Sequence, residues 1–241
     1  MTASANPWAP RRFWSRTSVQ VQPGGYGIAL DDRPLRTPGR AALVVPVRAL
    51  AEAVAAEWAA QDGTVRPETM PFTRAANAAI DRVAPAPGPL VDGIVAYGES
   101  DLLCHRAPGP AALVARQAAG WDPLLAWAVT RFDARLVPVS GVMPARQSDE
   151  SLAALRRAVA GHDAFGLTAL SEAVALSGSL IIGLAVSVGH GSAADLWRLA
   201  HIDEDWQAEN WGVDAEAEAA RALRAEAFAR AAAMLAMVRQ P

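Results

Sequence analysis

A chain of 241 residues, 52% hydrophobic and 20% charged, can bury a real core in one large or two modest domains and is not a disordered protein. Its net charge of −3 gives no electrostatic case for nucleic acid or an anionic membrane surface. A single cysteine, Cys104, excludes an internal disulfide framework and a multi-cysteine zinc site.

Residues 1–12 read as a flexible lead-in, and MTASANPWAPRRFW lacks the apolar core of a secretory signal. A small antiparallel sheet is expected next. SVQVQ alternates, PGGYG is a turn, IAL is a second strand, DDRP turns again, and ALVVP is a third apolar run. The pattern then changes to a period of 3.6. Residues 47–61 place Leu50, Val54 and Trp58 on one face, and Gly63 ends the helix. Glu57 and Trp58 could be functional, but a Trp in register with Leu and Val belongs to a core. FTRAANAAIDRV is another short helix, and APAPGP at 84–89 is the best linker in the chain.

Beyond the linker almost everything reads helical. VDGIVAYGESDLLCHRA is a helix with a loosened end. Residues 111–132 form a longer helix with Trp121, Leu124, Leu125 and Val129 inward and Pro123 kinking it. RLVPVSGVMP is extended. Ser148 and Asp163 cap the next two helices. GSLIIGLAVSVG is apolar on all sides, so it is the expected central, buried helix. The apolar run at 176–188 is too short and too rich in Gly and Ser to span a bilayer. The last helix, 214–238, is Glu-rich early and Arg-rich later, as the helix dipole favours. No strand longer than four residues is expected after Ala111.

The stretch 192–212, SAADLWRLAHIDEDWQAENWG, holds three of the eight tryptophans and the densest acidic cluster. Ser192 with Asp195 reads as an N-cap, and Gly212 as a stop. Wound as one helix at about 100° per residue, it sends Leu199, Ile202 and Trp206 to one side. Trp197, His201, Glu204, Ala208 and Trp211 fall within a stripe of roughly 80° on nearly the opposite side. A carboxylate and an imidazole between indoles are costly to bury unpaired and useful at an interface. The alternative is a core helix with its charges at the rim.

The sequence offers little catalytic chemistry. There is no phosphate-binding loop, and without a lysine there cannot be its lysine. PGGYG does not open a helix, so it is no dinucleotide cradle. Cys104 beside His105 suggests a reactive thiol, but adjacent helical residues do not face each other. His201, Glu204 and Asp205 could form a metal or acid/base site on one helix, a weak signal without a third element.

Two sets of blocks go further. LDDRPLRTPGRAALVVPVRALAEAVAAEWAAQ with MPFTRAANAAIDRV is one. IVAYGESDLLCHRA, RQAAGWDPLLAWA, LSGSLIIGLAV and DEDWQAENWG make the other. In wording and order they resemble the ATP-twelve family, the assembly chaperones of ATP synthase, from about Phe13 to the last helix. His105, Ala208 and Asn210 depart from the expected aromatic or bulkier residues. The resemblance implies a non-enzymatic chaperone that binds the free α subunit of the catalytic head until β replaces it. It implies no cofactor and no nucleotide, and a bacterial cytoplasm, the mitochondrial matrix being the place of eukaryotic members. A monomer is expected. The important acidic residue lies in the 203–207 block and is taken as Glu204; Asp205, Trp197, His201, Gln207 and Trp211 complete the expected partner-binding set. The fold class is α+β: an N-terminal α/β domain with an antiparallel sheet at 1–86, then an all-helical domain at 87–241. The competing readings are an enzyme built on His201, Glu204 and Asp205, and a plain helical scaffold.

Overall fold

The computed structural model describes residues 11–141 and 145–239. Most of the expected lead-in, and part of the extended segment before Ser148, therefore lie outside the described residues. The chain divides into two compact units with the boundary between Pro85 and Ala86.

In the first unit β1 (Thr17–Gln22) and β2 (Gly25–Leu30) form an antiparallel hairpin with Val19 opposite Ile28. The far edge of β2 is shared by β3 (Arg33–Pro34) and β4 (Val44–Val45), both antiparallel to it. With a strand on each side, β2 buries Ile28, Ala29 and Leu30 almost completely. Helix α1 (Arg48–Ala59) lies across this sheet and buries Leu50, Ala51, Val54 and Ala55. Trp58, at the end of that face, is half-buried and meets Trp14 edge-on at 5.2 Å, against a cluster of Trp14, Leu30, Val65 and Met70. Helix α2 (Pro71–Ala78) runs on into a π turn, Ala79–Val83. Its N-cap, Met70, offers no side-chain acceptor. Glu57 of α1 supplies the acceptors instead: one carboxylate oxygen takes the Phe72 N–H at 2.7 Å, and the other takes the Thr73 N–H and hydroxyl at 2.8 and 2.7 Å. Trp58 thus packs within the first unit, as its register with Leu50 and Val54 implies, and Glu57 braces the start of α2.

The second unit begins with α3 (Gly88–Ala96), which tightens into 3₁₀ turns at Tyr97–Ser100 and Leu102–Cys104, the loosened end expected from the sequence. β5 (His105–Arg106) follows, then α4 (Ala111–Phe132), which continues through Pro123. β6 (Val139–Ser140) pairs with β5 in parallel. The unit is therefore not wholly helical, although neither strand exceeds two residues. Ser148 caps α5 (Asp149–Ala160), and Asp163 caps α6 (Ala164–Ser177). Helix α7 (Leu180–Val188) is the expected central element: every residue up to Ser187 is buried, and α4, α6, α8 (Ala193–Ala200) and α10 (Ala215–Val238) surround it. Asp101, fully buried, accepts the Leu103 N–H at 3.0 Å and the Ile181 N–H at 3.1 Å, so it ties the α3 end to the first turn of α7. Helices α8 (Ala193–Ala200), α9 (Ile202–Trp211) and α10 (Ala215–Val238) complete the chain, with the second half of α10 packed along α6. Among the described residues no helix is long and apolar enough to cross a membrane.

Candidate functional site

The 192–212 stretch is not one helix. The Ser192 hydroxyl accepts the Asp195 N–H at 3.1 Å and starts α8, as expected. At His201 the backbone leaves helical geometry, with φ −123° and ψ 27°, and α9 starts afresh. Side chains take the carbonyls that the interruption frees. His201 Nδ1 donates to the Trp197 carbonyl at 2.9 Å, and Trp121 Nε1 of α4 donates to the Leu199 carbonyl at 2.7 Å. Gly120 of α4 makes the approach possible, since a Cβ there would lie 2.8 Å from Ile202 and 2.9 Å from Leu199.

The break overturns the single stripe. Trp197 is 7% exposed and His201 3%, and their rings pack at 3.8 Å with planes tilted by 35°, Trp197 also touching Phe228 of α10. Both were expected to touch a partner; both belong to the core, because a change of phase at His201 turns the first half of the stripe inward. Burial holds the His201 imidazole below its ordinary pKa, so it stays neutral at pH 7. Its ring is committed to a carbonyl and shut from solvent, which removes the imidazole from any metal or acid/base site with Glu204 and Asp205. Among the described residues no group of three His, Cys, Asp or Glu side chains is placed to hold a metal ion. Cys104 is buried and its thiol is pushed up to about 12, chiefly by desolvation, so it is inert rather than reactive.

The carboxylates of α9 sort themselves by partner. Asp203 accepts from Gln117 Nε2 of α4 at 2.7 Å, and Gln117 is itself buried. Asp205 pairs with Arg221 of α10 at 2.5 Å, both side chains largely buried. Glu209 takes two bonds from Arg116 of α4 at 2.7 and 2.8 Å, which holds its carboxyl below the usual range. These three pin α9 between α4 and α10. Glu204 alone among the four makes no hydrogen bond or ion pair with any described residue, and it is exposed.

Glu204 lies on an open groove of about 300 Å³ between α9 and the first turns of α10. Gln207, Ala208 and Trp211 line it on the α9 side, and Asp214, Ala217, Glu218, Arg221 and Arg224 on the α10 side. Trp211, 78% exposed, stands at its mouth. Of the six expected partner-binding residues, the structure gathers Glu204, Gln207 and Trp211 here, places Asp205 just beneath as a brace, and sends Trp197 and His201 to the core. Sequence reasoning missed Arg221, Arg224 and Glu218. The Arg-rich tract of the last helix was visible, but its distance from α9 was not.

The family model described as ATP12 chaperone protein matches residues 11–129. The mitochondrial protein atp12 of Schizosaccharomyces pombe is 24% identical over 214 residues, 84% of this chain and 74% of that protein. The solved Atp12 of Paracoccus denitrificans is 46% identical and superposes with a TM-score of 0.90 over 95% of this chain and 98% of its own. An aspartate-to-lysine mutant of that protein superposes at 0.91 over the same shares. A solved protein of Agrobacterium tumefaciens is 40% identical, with a TM-score of 0.90 over 99% of this chain and 93% of its own. With close relatives matched along nearly their whole length, this chain belongs to the ATP12 chaperone family.

Proposed function

We propose that this chain is an assembly chaperone of ATP synthase that captures the free α subunit of the catalytic head in the bacterial cytoplasm and releases it when β takes its place. The observation that carries the reading is Glu204, the one α9 carboxylate without a hydrogen-bond or ion-pair partner among the described residues, exposed on a groove beside Trp211. A lone subunit of an oligomer presents an apolar patch with a polar rim, and such a patch drives wrong association. A chaperone has only to cover it with a mixed aromatic and acidic face, and must bind weakly enough for the true partner to displace it. Exposed carboxylates select a basic counterpart and speed encounter more than they tighten the complex. That task needs no bond-making chemistry and no bound nucleotide.

The test is direct. The purified chain is mixed with purified free α subunit and, separately, with assembled head, and each mixture is run through size exclusion with light scattering. The reading expects a one-to-one complex with the free α subunit, its dissociation on adding β, and no complex with the assembled head. A chain that ignores the free α subunit, or that binds assembled head equally well, contradicts it.

A further inference from the structure

Trp211 is the last residue of α9, and Val213, two residues on, is 66% exposed. Between them Gly212 has φ 90° and ψ 165°, a conformation that is essentially confined to glycine. A Cβ at Gly212 would meet nothing within 4 Å, so the glycine is there for its backbone and not for space. The Gly212 N–H still closes α9 on the Ala208 carbonyl at 3.0 Å. Two residues later Asp214 caps α10, accepting the Glu216 and Ala217 N–H groups at 2.8 and 3.0 Å. The backbone of the Trp-Gly-Val tip is thus fixed by a helix end on each side, and its indole is presented to solvent. Tryptophan is among the residue types enriched at the few positions that dominate interface affinity.

We infer that this tip is the anchor of the interface. The partner lays an apolar patch on the Trp211 indole and a basic side chain in the groove toward Glu204 and Glu218, with Gly212 as the positioning residue that aims the indole. The inference rests on the interface reading of Glu204 above. Glu218 lines the same groove, and Arg224, also on its wall, makes no ion pair with any described residue; an acceptor on the partner meets it. The charges argue for a different protein over a second copy. With Arg221 held by Asp205, the groove keeps Glu204 and Glu218 against Arg224 alone, a net negative face that disfavours its own copy and suits a more basic partner.

The chain is labelled with 5-fluorotryptophan, the Trp211 resonance is assigned from Trp211→Phe, and its shift between H₂O and D₂O is followed as free α subunit is added. Alone, Trp211 shows the solvent shift; in the complex it loses it, while the buried Trp121 resonance stays as it was. Trp211→Ala weakens capture at least tenfold with no change in melting temperature. Gly212→Ala weakens it at least threefold with the indole still present, because the alanine cannot hold the Gly-only conformation. An indole that stays solvent-exposed in the complex, or a Trp211→Ala chain that binds like wild type, overturns the anchor while leaving the Glu204 reading standing. Failure of the unsubstituted chain to capture the α subunit at all overturns both.

Discussion

Glu57 offers the sharpest test of how the first unit is held. Its carboxylate stands in for the absent N-cap of α2 and satisfies two backbone N–H groups and the Thr73 hydroxyl. Glu57→Ala strands all three donors. Losing a cap costs about 0.5–2 kcal/mol, and each half-buried donor left unpaired adds to it, so about 2–3 kcal/mol is expected in total. For a chain of this size that lowers the melting temperature by roughly 5–10 °C. Glu57→Gln keeps one acceptor and turns an amide donor toward the other pair, so it falls between wild type and Glu57→Ala. The pH dependence has a definite sign. Desolvation raises the Glu57 pKa above its unfolded value despite the hydrogen bonds that lower it. The stabilising contribution is therefore fully present below the unfolded pKa and declines as pH rises through the raised one. The penalty of Glu57→Gln is thus largest in acid and shrinks toward neutrality. Thermal melts monitored by circular dichroism, repeated across that range, measure all three quantities. A Glu57→Ala chain that melts with wild type refutes the cap; a penalty that grows as pH rises would instead show that the hydrogen bonds to the ionised carboxylate outweigh its desolvation.

Two further substitutions follow from the packing. Truncating a fully buried Trp costs about 3–5 kcal/mol; Trp58 is half-buried and its indole N–H has no partner among the described residues, so Trp58→Ala should cost about 2–3 kcal/mol. A variant that melts normally yet fails to bind the α subunit would make Trp58 a contact instead. Asp101→Ala leaves two buried N–H groups without an acceptor, Leu103 in the 3₁₀ turn after α3 and Ile181 at the start of α7, a loss of about 3–5 kcal/mol in a denaturant titration. A loss under about 1 kcal/mol would show that ordered water replaces the carboxylate.

Much of this architecture was written in local signals. Caps at Ser148, Asp163 and Ser192, the alternation of SVQVQ, and the all-round apolarity of LIIGLAV each fix their own element without help from the rest of the chain. The break at His201 was not legible, because no Gly or Pro marks it. It is stabilised by Trp121, a donor 78 residues away, whose indole takes the Leu199 carbonyl. Its consequence reached the site: Trp197 and His201, in register with Glu204 on one continuous helix, lie in the core once the helix is interrupted. Nor could spacing separate Glu204 from its neighbours. Asp203, Asp205 and Glu209 find Gln117, Arg221 and Arg116 only through tertiary packing. The acidic block was visible as a block; which carboxylate is spare is a property of the fold.

That spare carboxylate is where the account is most exposed to test. Glu204 contributes little to folding if it faces solvent, since even paired surface charges are worth about 0–1 kcal/mol. At an interface, losing one side of a desolvated charge pair costs roughly 2–5 kcal/mol. The deciding measurement is melting temperature and affinity for the free α subunit on the same samples of wild type, Glu204→Gln and Glu209→Gln. Glu204→Gln should melt like wild type and lose one to three orders of magnitude in affinity, whereas Glu209→Gln, which loosens the Arg116 tie, should affect stability before binding. A Glu204→Gln chain that binds like wild type, or one whose loss of binding is matched by a loss of stability, would contradict a partner-facing Glu204.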